Sequence, residues 1–206
     1  MASNYKIPAA PISVEIEVRK SRFICHLAHA KSAEQAKQFI AMISEQYATA
    51  THNCWAFQTD APGSTSSVGC SDDGEPHGTA GRPILNVLCH SDVGEVVAVV
   101  TRYYGGTKLG TGGLARAYSD SVKMALGELS TCEQVDWQYA TLSLDYSLQA
   151  AVEKVFCERG AEIISSQFDD KVALEFRYDL NSVEDLNLKL SDLSQGKLKI
   201  PVPLVD

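Results

Sequence analysis

The sequence predicts an α+β protein of two domains: an N-terminal α/β domain over residues 1–133 and a C-terminal βαββαβ domain of ferredoxin-like plan over residues 137–206. Three observations predict it. Apolar residues alternate with period two in some segments and recur with period 3.6 in others, so strands and helices are interleaved. The apolar patterning lapses near residues 130–137, which marks a boundary. Beyond it, about 70 residues run strand, helix, strand, strand, helix, strand, the order of a split βαβ unit. With 206 residues, 45% of them hydrophobic and 21% charged, each part can bury its own core.

In the N-terminal part, "ISVEIEVRKSRFICHLAH" sets Ile12, Val14, Ile16 and Val18 on one face of a strand, and a second strand follows through Phe23 to Leu27. "SAEQAKQFIAMISEQY" opens with Ser32 as N-cap and Gln35 three residues on, then places Ala36, Phe39, Ile40 and Ile43 at helical spacing. "ATHNCWAFQTD" is a strand ending at Pro62-Gly63, and "GSTSSVGCSDDGEPHGTAG" is a long polar loop or irregular hairpin. "RPILNVLCH" is a helix with Pro83 near its start. "GEVVAVVTRYY" is a buried β-branched strand, and "GGLARAYSDSVKMALGELS" is a helix with Leu114, Tyr118, Val122 and Leu126 on one stripe.

In the C-terminal part, "QYATLSLDY" is a strand and "SLQAAVEKVFCERG" a helix ending at Gly160. "AEIISSQF" and "KVALEFRY" are strands around the turn Asp169-Asp170. "NSVEDLNLKLSDLSQG" is a helix closed by Gly196, and "KLKIPVPLV" is a short final strand.

The net charge of −8 argues against a protein that coats nucleic acid by global attraction. Residues 1–136 carry 11 Lys/Arg against 14 Asp/Glu, whereas the remainder carries 7 against 12, so acidity leans to the C-terminal end. The stretch from Arg102 to Arg116 is locally +3. No apolar run approaches a bilayer span, and "MASNYKIPAA" has no secretory pattern, so a cytoplasmic location is expected. The six cysteines form no C-x-x-C pair and are expected to be reduced thiols behaving as small buried hydrophobes. His52 and Cys54 share a face of their strand, which raises a thiolate–imidazole couple as a minor alternative.

"TRYYGGTKLGTGGLARAY", residues 101–118, combines five glycines and three cations with no acid. It follows a strand and enters a helix, the setting in which backbone N–H groups and the helix dipole hold an anion. Gly105 and Gly106 let the chain turn, and Gly110, Gly112 and Gly113 allow close approach. Arg102, Lys108, Arg116 and Arg82 supply charge. The stretch is neither a Walker loop nor G-x-G-x-x-G.

"SDDGEPHGTAG" places Asp72, Asp73, Glu75 and His77 within six positions, enough donors to raise a divalent metal, although the spacing fits neither an EF-hand nor a zinc protease. Pairing of these acids with Arg82, Arg102 or Arg116 is at least as good a reading. Tyr103, Tyr104, Trp55 and Phe57 are candidate stacking platforms for bases, and of the adjacent tyrosines only one can serve.

"SDDGEPHGTAGRPILNVL" followed by "VVAVVTRYYGGTKLGTGGLARAY", with "HNCWAF" upstream, resembles the Impact family and its short bacterial YigZ-type members. The resemblance covers nearly the whole chain. It implies an N-terminal domain similar to the second domain of a small-subunit ribosomal protein and a C-terminal domain similar to the last domain of elongation factor G. Eukaryotic relatives act in translational control by competing for a ribosome-associated activator of the starvation-responsive kinase. They carry an extra N-terminal interaction domain that is not seen in this sequence, so that role is not carried over. Asp72, Asp73, Glu75, Gly78, Thr79, Gly81 and the run from Arg102 to Arg116 match the family motifs. The resemblance brings no catalytic residue set and calls for no cofactor.

The expected function is therefore non-enzymatic binding linked to translation, with RNA or the ribosome as partner and Arg102, Lys108 and Arg116 on phosphates. The alternatives are an enzyme or binder acting on a nucleotide or other phosphorylated ligand, with metal on the carboxylate loop, and a module whose acidic C-terminal domain docks a basic protein.

Overall fold

A computed structural model describes residues 5–201. The chain divides into two units, one running to Gln134 and one starting at Val135. In the first unit the elements are β1 (Lys6–Pro8), β2 (Ile12–Val18), β3 (Ser21–His29), α1 (Ala33–Gln46), β4 (His52–Gln58), β5 (Val68–Ser71), α2 (Gly81–Cys89), β6 (Val96–Tyr103), α3 (Thr111–Glu128) and β7 (Thr131–Glu133). Five strands form one antiparallel sheet in the order β2-β3-β6-β4-β5, and β1 pairs with β7 in a separate ladder.

Strand β6 reads as an unbroken run, VVAVVTRY, because it is central and both its faces are covered. Val97 faces α1 with Ala28 and Phe57. Val96, Ala98 and Val100 face α2 and α3 with Phe23, Cys25, Cys54 and Ala56. Helix α1 starts where expected, with the Ser32 hydroxyl accepting from Gln35 N at 3.2 Å. The reciprocal bond is shifted: Gln35 Oε1 accepts from Lys31 N rather than from the Ser32 N–H.

The polar stretch after β4 is the irregular hairpin, not a bare loop: β5 pairs with β4 from Trp55↔Ser71 to Gln58↔Val68. Its short length and small residues hide it from a periodicity count. The three-residue strands β1 and β7 escape for the same reason.

The second unit runs β8 (Trp137–Leu144), α4 (Gln149–Glu158), β9 (Glu162–Phe168), β10 (Val172–Asp179) and α5 (Val183–Ser194), with strand order β8-β10-β9. Leu142, Leu144, Leu174 and Phe176 meet Val152, Phe156, Leu186 and Leu190 in one core. Gly160 takes φ +70° after α4, and after α5 both Gln195 and Gly196 are left-handed.

The expected final strand is a correction over 197–201, which contain no strand, while residues 202–205 lie outside the described residues. The segment is tied to α5 instead: Ile200 N donates to Asn187 Oδ1 at 2.7 Å, and Asn187 Nδ2 donates to the Ile200 carbonyl at 3.0 Å. Leu198 and Ile200 are buried there without entering the sheet.

Candidate functional site

Loops and strand ends converge where β6 leaves the sheet. Arg102, the seventh residue of β6, is buried, and its Nη1 donates to Glu75 Oε1 from the polar loop. Tyr118, on the buried face of α3, donates its hydroxyl to the same oxygen at 2.8 Å. Glu75 Oε2 lies 3.9 Å from His52 Nε2, and His52 Nδ1 is 2.7 Å from the Asp73 carbonyl. That second contact places the imidazole proton on Nδ1, because a carbonyl can only accept.

The other acids of the polar loop are also engaged inward. The Asp72 carboxylate accepts N–H groups from Gly78 at 2.8 Å, Ala80 at 3.0 Å and Gly81 at 2.8 Å. It thereby caps α2 from nine residues upstream, where Ala80 offers no side-chain cap. Partial burial pushes the carboxyl upward, but these three N–H groups and the nearby His77 hold it below the usual range. Asp73 Oδ2 accepts from Asn53 N at 2.6 Å. His77 points into solvent, 3.8 Å from Asp72 Oδ2. Thr79 is buried, its hydroxyl on the Pro76 carbonyl at 2.6 Å. Gly78, with φ +74°, turns the chain so that its N–H reaches Asp72, and at Gly81 a Cβ would lie 2.7 Å from the Ser71 backbone. No group of three or more His, Cys, Asp or Glu able to hold a metal occurs among the described residues.

The glycine-rich loop divides differently from the expectation. Gly105 is wedged against the β2–β3 turn, where an added Cβ would collide with the Lys20 carbonyl. Gly106 and Gly110 have φ +82° and +75°, and Gly112 and Gly113 form the first turn of α3. A cleft of about 390 Å³ opens between the loops, lined by Thr51, His52, Pro76, Arg102, Tyr104, Lys108, Leu109, Gly110, Thr111 and Leu114. Lys108 and Tyr104 are exposed on it. The Arg102 guanidinium carbon sits 5.6 Å from the Tyr104 ring centroid and 5.5 Å from that of Phe23.

The structure decides between several readings of these residues: the Arg102 pairing holds over the outward cation, the Arg116 and aromatic expectations are corrected, and the minor Cys54 alternative falls. Arg102 is not an outward cation, because Glu75 neutralises it inside. Arg116 does not share the cleft; it is exposed on the far side of the α3 first turn, in depressions with Arg19, Asp120 and Lys123. Trp55 and Phe57 stack at 5.8 Å on the α1 side of the sheet, away from the loops, and Tyr103 stands by Arg22. Cys54 is no thiolate nucleophile: burial pushes its thiol up to about 12, and it sits 2.9 Å from the Asp72 carbonyl and 3.3 Å from the Tyr118 hydroxyl. Arg82 is exposed in the first turn of α2.

The six cysteines are free, and Cys25 and Cys54 are buried. Cys70, Cys132 and Cys157 are exposed rather than buried, the first two on short edge strands and the third on the outer side of α4. The sequence placed Tyr118 on the core stripe of α3 and gave no sign that its hydroxyl links to Glu75.

Two family models match the chain: the Impact N-terminal domain over residues 19–126, and a domain of unknown function, DUF1949, over residues 142–197. The chain is 41% identical over 197 residues to IMPACT family member YigZ of Escherichia coli (strain K12), covering 96% of this chain and 97% of that protein. It is 36% identical to IMPACT family member YvyE of Bacillus subtilis (strain 168), over 90% and 85%. A crystal structure described as that of a hypothetical protein matches with a TM-score of 0.69 at 39% identity, covering 100% of both chains.

Proposed function

The chain belongs to the Impact family, and from that premise we propose that it is a cytoplasmic, non-enzymatic binding protein linked to translation or its regulation, contacting RNA or the ribosome through Lys108 and Arg116. The observation that carries this reading is the division of charge between the two loops. Asp72, Asp73 and Glu75 are all engaged with protein donors, whereas Lys108 and Arg116 stand in solvent on either side of the α3 N-terminus. The field that a partner meets at this rim is therefore positive on a protein whose total charge is −8. Translational control, which the family resemblance implies, supplies the kind of partner.

Phosphate contacts of this kind bring weak sequence preference and steep salt dependence. Co-sedimentation with ribosomes and with RNA across a salt series tests the proposal. The Lys108→Ala/Arg116→Ala variant should lower the salt slope by about 1.4 to 1.8, as two lost phosphate contacts would. An unchanged slope and affinity would remove this surface from consideration.

A metal-dependent enzyme is a poorer fit. The carboxylates that would ligate the ion already accept backbone N–H groups or pair with Arg102, and recruiting them would uncap α2.

A further inference from the structure

The cleft between the loops differs in kind from the outward cations just described. Its floor holds Arg102 at 6% exposure, with Nη1 on Glu75 and with Nε having no hydrogen-bond partner among the described residues. Its rim is the start of α3, an 18-residue helix whose first main-chain bond runs from Leu114 N to the Gly110 carbonyl at 2.9 Å. The N–H groups of Thr111, Gly112 and Gly113 precede that bond and have no acceptor within the helix. Gly110 brings no side chain to cap them, and Gly110 and Thr111 line the cleft itself, so the helix start opens on it. Lys108 stands beside them.

The remaining walls are of another chemistry. Pro76, Leu109, Leu114 and the half-exposed ring of Tyr104 are largely apolar, and one face of that ring is already taken by the Arg102 guanidinium. A bare ion would leave this surface uncovered. The volume of about 390 Å³ lies at the small end of ligand sites, enough for a molecule the size of one nucleotide and too little for a strand of RNA.

We propose that this cleft binds a phosphomonoester with a flat or apolar carrier group. The phosphate sits on the first turn of α3 beside Lys108, where three N–H groups and the helix dipole meet a dianion. The carrier lies against Tyr104, Leu109 and Leu114. The Arg102–Glu75 pair is net neutral but presents guanidinium rather than carboxylate to the cleft, so the floor does not repel the anion. The site shares Lys108 with the RNA contact proposed above but not Arg116, which lies outside the cleft.

The test follows backbone amide shifts of Gly110, Gly112 and Gly113 while the full chain is titrated with adenosine monophosphate, adenosine and inorganic phosphate in turn. Adenosine monophosphate should move these amides at least about tenfold more tightly than inorganic phosphate, and adenosine should leave them in place. A 5′-phosphorylated oligonucleotide against its 5′-hydroxyl counterpart distinguishes an RNA end from a free nucleotide as the source of the group. Lys108→Ala, at an exposed position, should weaken binding about tenfold through loss of a charge-assisted bond. Thr111→Pro removes the first donor at a position where helices accept proline, and should do the same. Arg116→Ala should bind the phosphomonoester as the unaltered chain does while its RNA binding weakens and loses about 0.7 to 0.9 of salt slope, which separates the cleft from the outer contact. If no phosphate moves the glycine amides, or if both cleft variants bind undiminished, the site does not exist.

Discussion

Arg102 and Glu75 meet inside the protein, Nη1 on Oε1, with side chains only 7% and 3% exposed. One is the penultimate residue of the sheet's central strand and the other comes from the polar loop, so this pair ties together two motifs at positions 27 residues apart. It is first a structural bond, and it fixes the two loops that flank the cleft.

Breaking that pair from one side should be costly. Glu75→Ala leaves a buried guanidinium without its counter-charge, and the expected loss is about 3–5 kcal/mol in denaturant unfolding. Replacing both, as Glu75→Leu with Arg102→Met, should lose clearly less than the single change, because no lone charge remains. A double variant no better than Glu75→Ala would show that the charges are not coupled. Tyr118→Phe removes one donor to the same carboxylate and should cost about 1 kcal/mol.

Asp72 acts at a distance as the cap of α2, so Asp72→Ala should destabilise by about 1–2 kcal/mol, with helix α2 amides exchanging faster. Because the N–H groups and His77 prevail over partial burial in holding its carboxyl low, its contribution is present above the unfolded carboxylate range near pH 4 and is lost as the pH falls below it. Divalent cations should raise the melting temperature of neither form. A rise that the alanine abolishes would restore a metal to this loop.

A separate acid-sensitive element lies on the α1 side of the sheet. His26 is 1% exposed, with Nδ1 2.7 Å from the Ser13 hydroxyl, Nε2 unpartnered among the described residues, and its ring against Tyr47 at 4.8 Å. Burial lowers its pKa to about 4. Above about pH 6.5 the ring is neutral in both folded and unfolded chains and costs nothing. As the pH falls toward 4 only the unfolded chain takes the proton, so stability drops, by on the order of 3 kcal/mol in all. His26→Phe keeps a ring against Tyr47 and should flatten the stability profile between pH 6.5 and 4. An unaltered slope would assign the acid limb to other groups.

Most of the fold was legible because it rests on local pattern. The alternation of Ile12 to Val18, the Ser32 cap and the β-branched run of β6 each fix an element without reference to the rest of the chain. What escaped depends on contacts distant in sequence. Nothing local to Asp72 says that it caps a helix nine residues later, and although pairing of the loop acids with Arg82, Arg102 or Arg116 was legible, nothing local says that the pair is Glu75 with Arg102. The glycines were legible as backbone freedom, yet only the structure separates Gly105, wedged against Lys20, from Gly110 and Gly112, which open on solvent. The final strand failed for a related reason: Asn187, on a helix, holds the backbone that the pattern assigned to the sheet.

The thiols give the last prediction. Cys54 stands within two residues of His52, yet it is wholly buried, and its thiol is raised to about 12 by burial with the carboxylates of Glu75, Asp73 and Asp72 adding to the effect. Cys25 is buried as completely, and burial raises it too. A thiolate-selective alkylating reagent at neutral pH should therefore modify Cys70, Cys132 and Cys157 first, with Cys89 slower because it is half-buried and raised. Cys54 and Cys25 should react only as fast as the first unit unfolds, and Glu75→Ala should accelerate both together by loosening the loops that cover Cys54. Mass spectrometry of peptides along the time course reads the order directly. Early modification of Cys54 in the folded chain would mean that the strand carries a reactive thiol after all, and the His52–Cys54 couple would have to be reconsidered.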